Sequence, residues 1–128
     1  NVRPTNPAIL HAFGQFSRLV QSLPDAIVVV VAGNHDTPRA TETGCILKLF
    51  QPLGIHVVAD EPQKLVFAER DLSILAVPDT GATRPALVPD PAFKHNVLLL
   101  HGEVPVLQGY GPHGGILVSG KCGACLRA

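Results

Sequence analysis

The apolar positions near the start of the chain follow a helical period. Five of them, spaced by three or four residues, are Ile9, Phe13, Phe16, Val20 and Leu23. This spacing is typical of an amphipathic helix. Asn6 is suited to the N-cap and Pro7 to the first helical position, while Pro24 closes the segment. We predict a helix between these boundaries.

Five later segments have the apolar pattern of strands. They are residues 25–33, 55–59, 64–68, 72–78 and 96–104. The first and the last are continuous apolar runs, typical of parallel strands buried on both faces. The third and fourth flank a polar turn and predict a hairpin. A second helix is expected from Thr37 and Pro38 to a stop at Gly54. This order predicts an α/β fold whose sheet is at least partly parallel.

The composition is that of one modest globular domain. The chain has 128 residues, 46% of them hydrophobic and 16% charged. We expect a folded core with apolar faces that another subunit or further chain covers. Ten basic and ten acidic residues cancel. This balance gives no electrostatic footprint for nucleic acid or an anionic membrane, which weakens a nucleic-acid-binding interpretation without excluding it.

Location and completeness are also indicated by the sequence. No apolar stretch approaches the roughly 20 residues that cross a bilayer. Three cysteines, an odd number, favour a reducing compartment, and we expect a cytoplasmic protein. The N-terminus lacks a signal-peptide pattern and an initiator methionine, so we expect the chain to begin within a longer protein. We assign residues 1–108 to a partial domain and residues 109–128 to a Gly-rich tail of uncertain structure.

Polar side chains follow two of the predicted strands where each strand ends. The motif Gly-Asn-His-Asp, residues 33–36, follows one, and His101 ends the other. Ligands collect at the carboxyl ends of strands in open α/β sheets, so these residues meet if the strands are neighbours. The Asn34 carbonyl oxygen and the His101 imidazole are metal donors. His35 can transfer a proton near neutral pH, with Asp36 fixing its tautomer.

Each of these residues also has a structural interpretation. Asn and Asp are common turn residues, so the tetrapeptide is compatible with an ordinary loop that caps a helix. A buried strand that ends in one histidine is more often structural than metal-binding. Finding both features at one sheet edge favours a functional site.

These residues resemble a known family, the calcineurin-like metallophosphoesterases. The third signature of that family is a strand followed by Gly-Asn-His-Asp/Glu, matched at residues 33–36. Its fourth is a strand that ends in a metal-binding histidine, matched by His101. From Asn1 to about Val104 the chain is most similar to the SbcD-type exonucleases of DNA double-strand-break repair. The segments GNHDTPRA and LGIHVVADEP carry that similarity.

The resemblance implies a fold, a reaction and partners. The fold is a sandwich of α/β/β/α layers, and the reaction is phosphodiester hydrolysis with two divalent metals, usually Mn²⁺. By match, Asn34 and His101 bind the second metal. His35 stabilises the transition state or protonates the leaving oxygen, and Asp36 orients it. The resemblance further implies DNA ends as substrate, an ATPase partner subunit and a homodimer, with no membrane.

The chain also departs from the family pattern. The Asp-x-His and Gly-Asp-x-x-Asp signatures that precede Gly-Asn-His-Asp are absent from the 128 residues, and so is the later Gly-His-x-His, since His113 lacks its spaced partner. We therefore expect a fold truncated at the N-terminus and also at the C-terminus, inactive as this fragment. The alternatives are a phosphomonoesterase or small-nucleotide phosphodiesterase of the same family, or a non-catalytic α/β fragment.

Other candidate residues are weaker. Cys122 and Cys125 have the spacing of a redox pair or half a zinc site, but they lie near the chain end, and Cys45 is expected to be a small core residue. Asp79 and Arg84 are candidates for facing a substrate, although a solvated loop is the expectation there. The remaining histidines are expected to be structural or exposed: His11, His56 and His95.

Overall fold

The computed structural model describes residues 4–36, 44–80 and 85–102, and the backbone of residues 114–118. Within these ranges the chain is a mixed α/β protein, as the hydrophobic pattern predicts. Its regular elements, in chain order, are α1 (Asn6–Ser22), β1 (Val29–Val31), a 3-10 helix (Ile46–Leu53), β2 (His56–Val58), β3 (Gln63–Phe67), a 3-10 turn (Ala68–Arg70), β4 (Leu72–Val77), β5 (His95–Leu100) and β6 (Gly114–Val118).

The N-terminal cap of α1 differs from the prediction by one residue. Thr5 has an extended backbone, and its hydroxyl oxygen accepts a hydrogen bond from the backbone N–H of Ala8 (3.4 Å). Asn6 is therefore the first helical residue and not the N-cap, because the Thr5 hydroxyl already satisfies a donor of the first turn. Pro7 lies within that turn, where its missing N–H costs nothing. The helix itself is confirmed.

β1 and β2 form a two-stranded parallel sheet, with Val30 opposite Val57. The 3-10 helix and α1 pack against it, and the rings of Phe16 and Phe50 lie 4.6 Å apart between their centroids. β1 is half-buried, so the prediction of burial on both faces is wrong: within the described residues it has one strand partner. The buried residues of this first core are Ala32, Cys45, Phe50, Ile55, Val57 and Ala59.

The predicted second helix is a 3-10 helix where it is described. It contains Pro52, which cannot donate a backbone hydrogen bond, and it ends at Gly54 in the left-handed region (φ 82°). The stop at Gly54 is confirmed. The expected start at Thr37 and Pro38 lies outside the described residues. Cys45 is buried as predicted.

The second sheet has the strand order β3–β4–β5–β6. The predicted hairpin is confirmed, since β3 and β4 pair antiparallel across the 3-10 turn. β4, β5 and β6 are parallel, with Val77 opposite Leu100. β6 lies inside the segment expected to be a Gly-rich tail. Val77, Leu98 and Leu100 are the buried residues of this second core.

The Asn96 amide holds the loop that precedes β5. Its Oδ1 accepts from the backbone N–H of Asp90 (2.7 Å), and its Nδ2 donates to the carbonyl oxygens of Asp90 (3.0 Å) and Phe93 (2.9 Å). The Asp90 carboxylate pairs with the Lys64 ammonium on β3 and accepts from the N–H of Ala92. The loop is thereby tied to two strands of the second sheet.

Among the described residues, no helix is both long enough and apolar enough to cross a membrane. Several sequence candidates lie outside the described ranges, and these are Arg84, His113, Cys122 and Cys125.

Candidate functional site

The Gly-Asn-His-Asp motif forms a closed turn directly after β1. The Gly33 N–H donates to Oδ2 of Asp36 (3.1 Å), and the Asp36 N–H donates to the Gly33 carbonyl oxygen (3.0 Å). Gly33 is buried, whereas Asn34 and His35 at the tip of the turn are exposed. The carboxylate of Asp36 therefore fixes the backbone from which the two exposed side chains project.

Backbone hydrogen bonds bring the carboxyl ends of three strands together. The N–H of His101, after β5, donates to the Val77 carbonyl oxygen (3.1 Å) at the end of β4. The N–H of Asp79, two residues further along the chain from β4, donates to the Ala32 carbonyl oxygen (3.1 Å) after β1. The carboxyl ends of β5, β4 and β1 thus lie side by side in this order, although β1 belongs to the other sheet.

The imidazole of His101 lies directly against Gly33. A Cβ atom placed on Gly33 would stand 2.8 Å from Nε2 and 3.0 Å from Cδ2 of His101. Real Cβ atoms do not approach other heavy atoms so closely, so this position requires glycine as long as His101 keeps its place. The two motifs that the sequence separates are in contact here.

The route by which these motifs meet differs from the expectation. They were expected at one edge of one sheet, from neighbouring strands, but β1 pairs with β2 while β5 pairs with β4 and β6. The ends meet across the boundary between two sheets because Asp79 bonds to Ala32 where β1 stops.

The second ring nitrogen of His101 faces Asp79. Nδ1 lies 3.5 Å from Oδ2 of Asp79 and is shielded from solvent without a hydrogen bond. The separation is within ion-pair range but beyond the 2.7–3.2 Å of an ordinary N–H···O bond. The side chains of His101 and Asp79 are 25% and 36% exposed. The two side chains are therefore close to each other but do not form an ordinary hydrogen bond.

The sequence names Asp79 only as a weaker candidate for facing a substrate, with a solvated loop as the expectation, and does not group it with His101. A usable signal was present: like residues 33–36 and His101, Asp79 follows directly on the end of a predicted strand, after Pro78. Ligands collect at the carboxyl ends of strands, and this rule holds here for three strands, those that end before Gly33, Asp79 and His101.

Among the described residues outside the site, three histidines and Cys45 behave as predicted. His11, His56 and His95 are exposed, and the His56 ring meets Phe67 edge-on at 5.3 Å. Burial raises the pKa of the Cys45 thiol, and the nearby carboxylates of Asp36 and Asp60 add to that rise. A thiol held protonated is a poor nucleophile, which agrees with a packing role for Cys45.

The site offers donors suited to a divalent cation. Asn34 carries an amide oxygen and His101 an imidazole, donor types that suit Mn²⁺-like and zinc-like ions, and the Asp79 carboxylate lies 3.5 Å from Nδ1 of that imidazole. Among the described residues, no group of three or more His, Cys, Asp or Glu side chains is placed to hold a metal. These donors fit part of a coordination shell, which needs four to six ligands in all.

Comparison of the chain with models of known protein families, with curated proteins and with solved structures gave no match.

Proposed function

We propose that this chain is part of a calcineurin-like metallophosphoesterase that hydrolyses phosphodiester bonds, of the SbcD-type DNA exonuclease class. The proposal rests above all on the contact between the His101 imidazole and Gly33. The residues that match two separate family signatures, far apart in the sequence, lie together. The close approach of the ring leaves no room for a side chain at position 33.

The role proposed for each site residue follows from its exposure and its hydrogen bonds. Asn34 and His101 would hold one of two divalent ions, proposed to be Mn²⁺. When bound, such ions would supply a hydroxide nucleophile and neutralise charge on the phosphoryl oxygens. His35 is exposed at the tip of the turn, so its imidazole can reach a phosphodiester and protonate the leaving oxygen. Asp36 positions His35 through the backbone, because its carboxylate bonds to the Gly33 amide.

The proposal also covers the complete fold, the substrate and the partners of the enzyme. The two sheets and the helix that packs on the first are compatible with part of an α/β/β/α sandwich. The complete enzyme is proposed to act on DNA ends in the cytoplasm, as a homodimer with an ATPase partner subunit. The 128 residues are proposed to be inactive by themselves, because the remaining metal donors belong to signatures that this sequence does not contain.

A second candidate function is a non-catalytic α/β fragment. The Asp36–Gly33 hydrogen bond favours it, since that bond explains Asp36 as a turn residue with no ligand involved. The two candidates differ in one respect: only the phosphoesterase requires Asn34 and His101 to bind a cation together.

Manganese binding by the 128-residue chain separates the two candidates. A paramagnetic Mn²⁺ ion broadens the NMR signals of nuclei near it. In a titration, the amide signals of Asn34 and His101 are expected to broaden first. His101→Ala should abolish that preference, and His95→Ala, which removes an exposed histidine from the other end of β5, should leave it unchanged. Broadening centred on His11, His56 or His95 would contradict the proposal and favour the structural turn.

Hydrolysis tests the expected inactivity of the fragment. Bis-p-nitrophenyl phosphate should remain intact when it is incubated with the chain and Mn²⁺. A Mn²⁺-dependent activity that disappears in both His35→Ala and His101→Ala would support the phosphoesterase, and it would show that the fragment contains enough donors to work.

A further inference from the structure

We propose that Asp79 is a positioning residue for His101: its carboxylate holds the imidazole in the tautomer that carries hydrogen on Nδ1. The lone pair then resides on Nε2, the ring atom closest to a Cβ placed on Gly33. The use of that lone pair for metal binding rests on the proposed function, but the pairing of the two side chains does not.

The Nδ1 atom of His101 requires a partner. It is shielded from solvent and has no hydrogen bond, and leaving a buried polar group in this state is unfavourable. Oδ2 of Asp79, 3.5 Å away, is the carboxylate oxygen that faces it. The two atoms are close enough for an electrostatic interaction, although they are not at the distance of an ordinary hydrogen bond.

The chemistry of the pair selects the tautomer. An ionised carboxylate can only accept a hydrogen bond, and a neutral imidazole has one donor nitrogen and one acceptor nitrogen. With hydrogen on Nδ1, the ring donates to Asp79. With hydrogen on Nε2, the Nδ1 lone pair would face the carboxylate oxygen, and the two would repel. The Nδ1–H form is therefore favoured.

Asp79 is itself held by the backbone. Its N–H donates to Ala32 at the end of β1, and the preceding Val77 and Pro78 are buried. His101 is fixed in turn by its N–H bond to Val77. Both side chains therefore project from anchored strand ends, which is the condition for holding a ring in one orientation.

The pairing with Asp79 matters for metal binding because it leaves Nε2 of His101 unprotonated. A histidine ligand that donates its other N–H to a carboxylate has a fixed tautomer and a more basic metal-binding nitrogen, and loss of such a partner typically lowers metal affinity about 10–100-fold. The pair thus assigns Nε2 of His101 as the nitrogen that would bind the ion.

The tautomer can be observed directly in the metal-free 128-residue chain. Nitrogen-15 chemical shifts distinguish a protonated from an unprotonated ring nitrogen at a pH well above the usual histidine pKa. In the wild-type chain we expect His101 to carry hydrogen on Nδ1. Asp79→Ala should shift the balance toward hydrogen on Nε2. The control is Asp60→Ala, which removes an exposed carboxylate that pairs with Lys48, and it should leave the His101 shifts unchanged.

Two results would overturn the proposal: hydrogen on Nε2 in the wild-type chain, or hydrogen on Nδ1 that persists unchanged in Asp79→Ala. If the Ala variant fails to fold, Asp79→Asn keeps the size of the side chain. An amide is a weaker acceptor than a carboxylate and can also donate to Nδ1. The Asn variant is therefore expected to show a reduced fraction of the Nδ1–H form, and an unchanged fraction would count against the proposal.

Mn²⁺ affinity separates this inference from the proposed function. Binding to Asp79→Ala should be about 10–100-fold weaker than to the wild-type chain, and binding to Asp60→Ala should be unchanged. A tautomer that responds to Asp79 while Mn²⁺ affinity does not would support the positioning role and contradict the assignment of His101 as a metal ligand.

Discussion

The two cores of the molecule bury their apolar residues in different ways. In the first, two strands of three residues are covered by helices, and α1 has no buried residue and leaves Leu10 71% exposed. In the second, Val77 of β4 and Leu98 and Leu100 of β5 are the buried residues. The first core is therefore covered by a helix that stays partly exposed, whereas the second is built from residues of neighbouring strands. The candidate site joins the two: the second sheet supplies His101 and Asp79, and the first supplies the turn.

The largest effect is expected from truncating a leucine in the second core. Leu98 has no exposed surface, and Leu98→Ala should lower the free energy of unfolding by about 2–5 kcal/mol through lost burial and the cavity that remains. Leu10→Ala, at the exposed face of α1, should change it by less than about 0.5 kcal/mol. Urea denaturation measures both, and similar losses would show that α1 is as tightly packed as β5.

An intermediate effect is expected where the two cores meet. Gly33→Ala forces the new Cβ against His101, which should cost about 1–3 kcal/mol of unfolding free energy as the ring is displaced. Gly14→Ala is the matched change, since nothing lies within 4 Å of a Cβ there and the residue is helical. It should stabilise by about 0.5–1 kcal/mol. Thermal denaturation of the two variants should shift in opposite directions, and a neutral Gly33→Ala would refute the tight contact.

A smaller effect on stability is expected when acid protonates Asp90 in the loop that precedes β5. The hydrogen bond from Lys64 holds the pKa of Asp90 below its usual value, and the Ala92 N–H adds to this. Because the folded-state pKa is depressed, the stabilisation is fully present above about pH 3.8, the ordinary value, and is lost as the pH falls below it. Lys64→Ala should flatten this part of the pH profile of the urea midpoint. An identical profile in wild type and variant would exclude the pair as the cause.

The smallest effect is expected on the alkylation rate of the Cys45 thiol in the first core. Burial raises the pKa of Cys45, so little thiolate is present at neutral pH and alkylation by iodoacetamide should be slower than that of an unstructured cysteine peptide. Mass spectrometry of the alkylated Cys45 peptide over time measures the rate. Rapid labelling would indicate that the cover of the first core opens readily.

Local patterns predicted the elements of the fold well and their partners less well. The helical period located α1, and the apolar runs located the hairpin and β5, because these signals depend on residues close in sequence. The cap at Thr5 was missed since Thr5 and Asn6 are both good caps and only geometry distinguishes them. The apolar pattern alone does not divide the strands between two sheets, because strand pairing depends on contacts that no local pattern encodes; only the family resemblance implies two β layers.

The residues of the candidate site were predictable only where a local sequence pattern marks them. Asn34, His35 and His101 stood out as polar residues at the ends of apolar runs, and contact between Gly33 and His101 supports their grouping. Asp79 was set aside because the Pro-rich segment around it has the composition of a loop. Its importance depends on one backbone bond to Ala32, which the sequence does not reveal.

Strand direction has a consequence for the order in which the molecule forms. β3 and β4 pair across a short turn, and such a hairpin closes within about 1–10 μs. The other described strand pairs are parallel, so each must close a long connection before its contacts contribute. We therefore expect the hairpin to form early and β5 to dock on its edge later. The site draws on the ends of β1, β4 and β5, so it is assembled only when the slowest of these closures is complete.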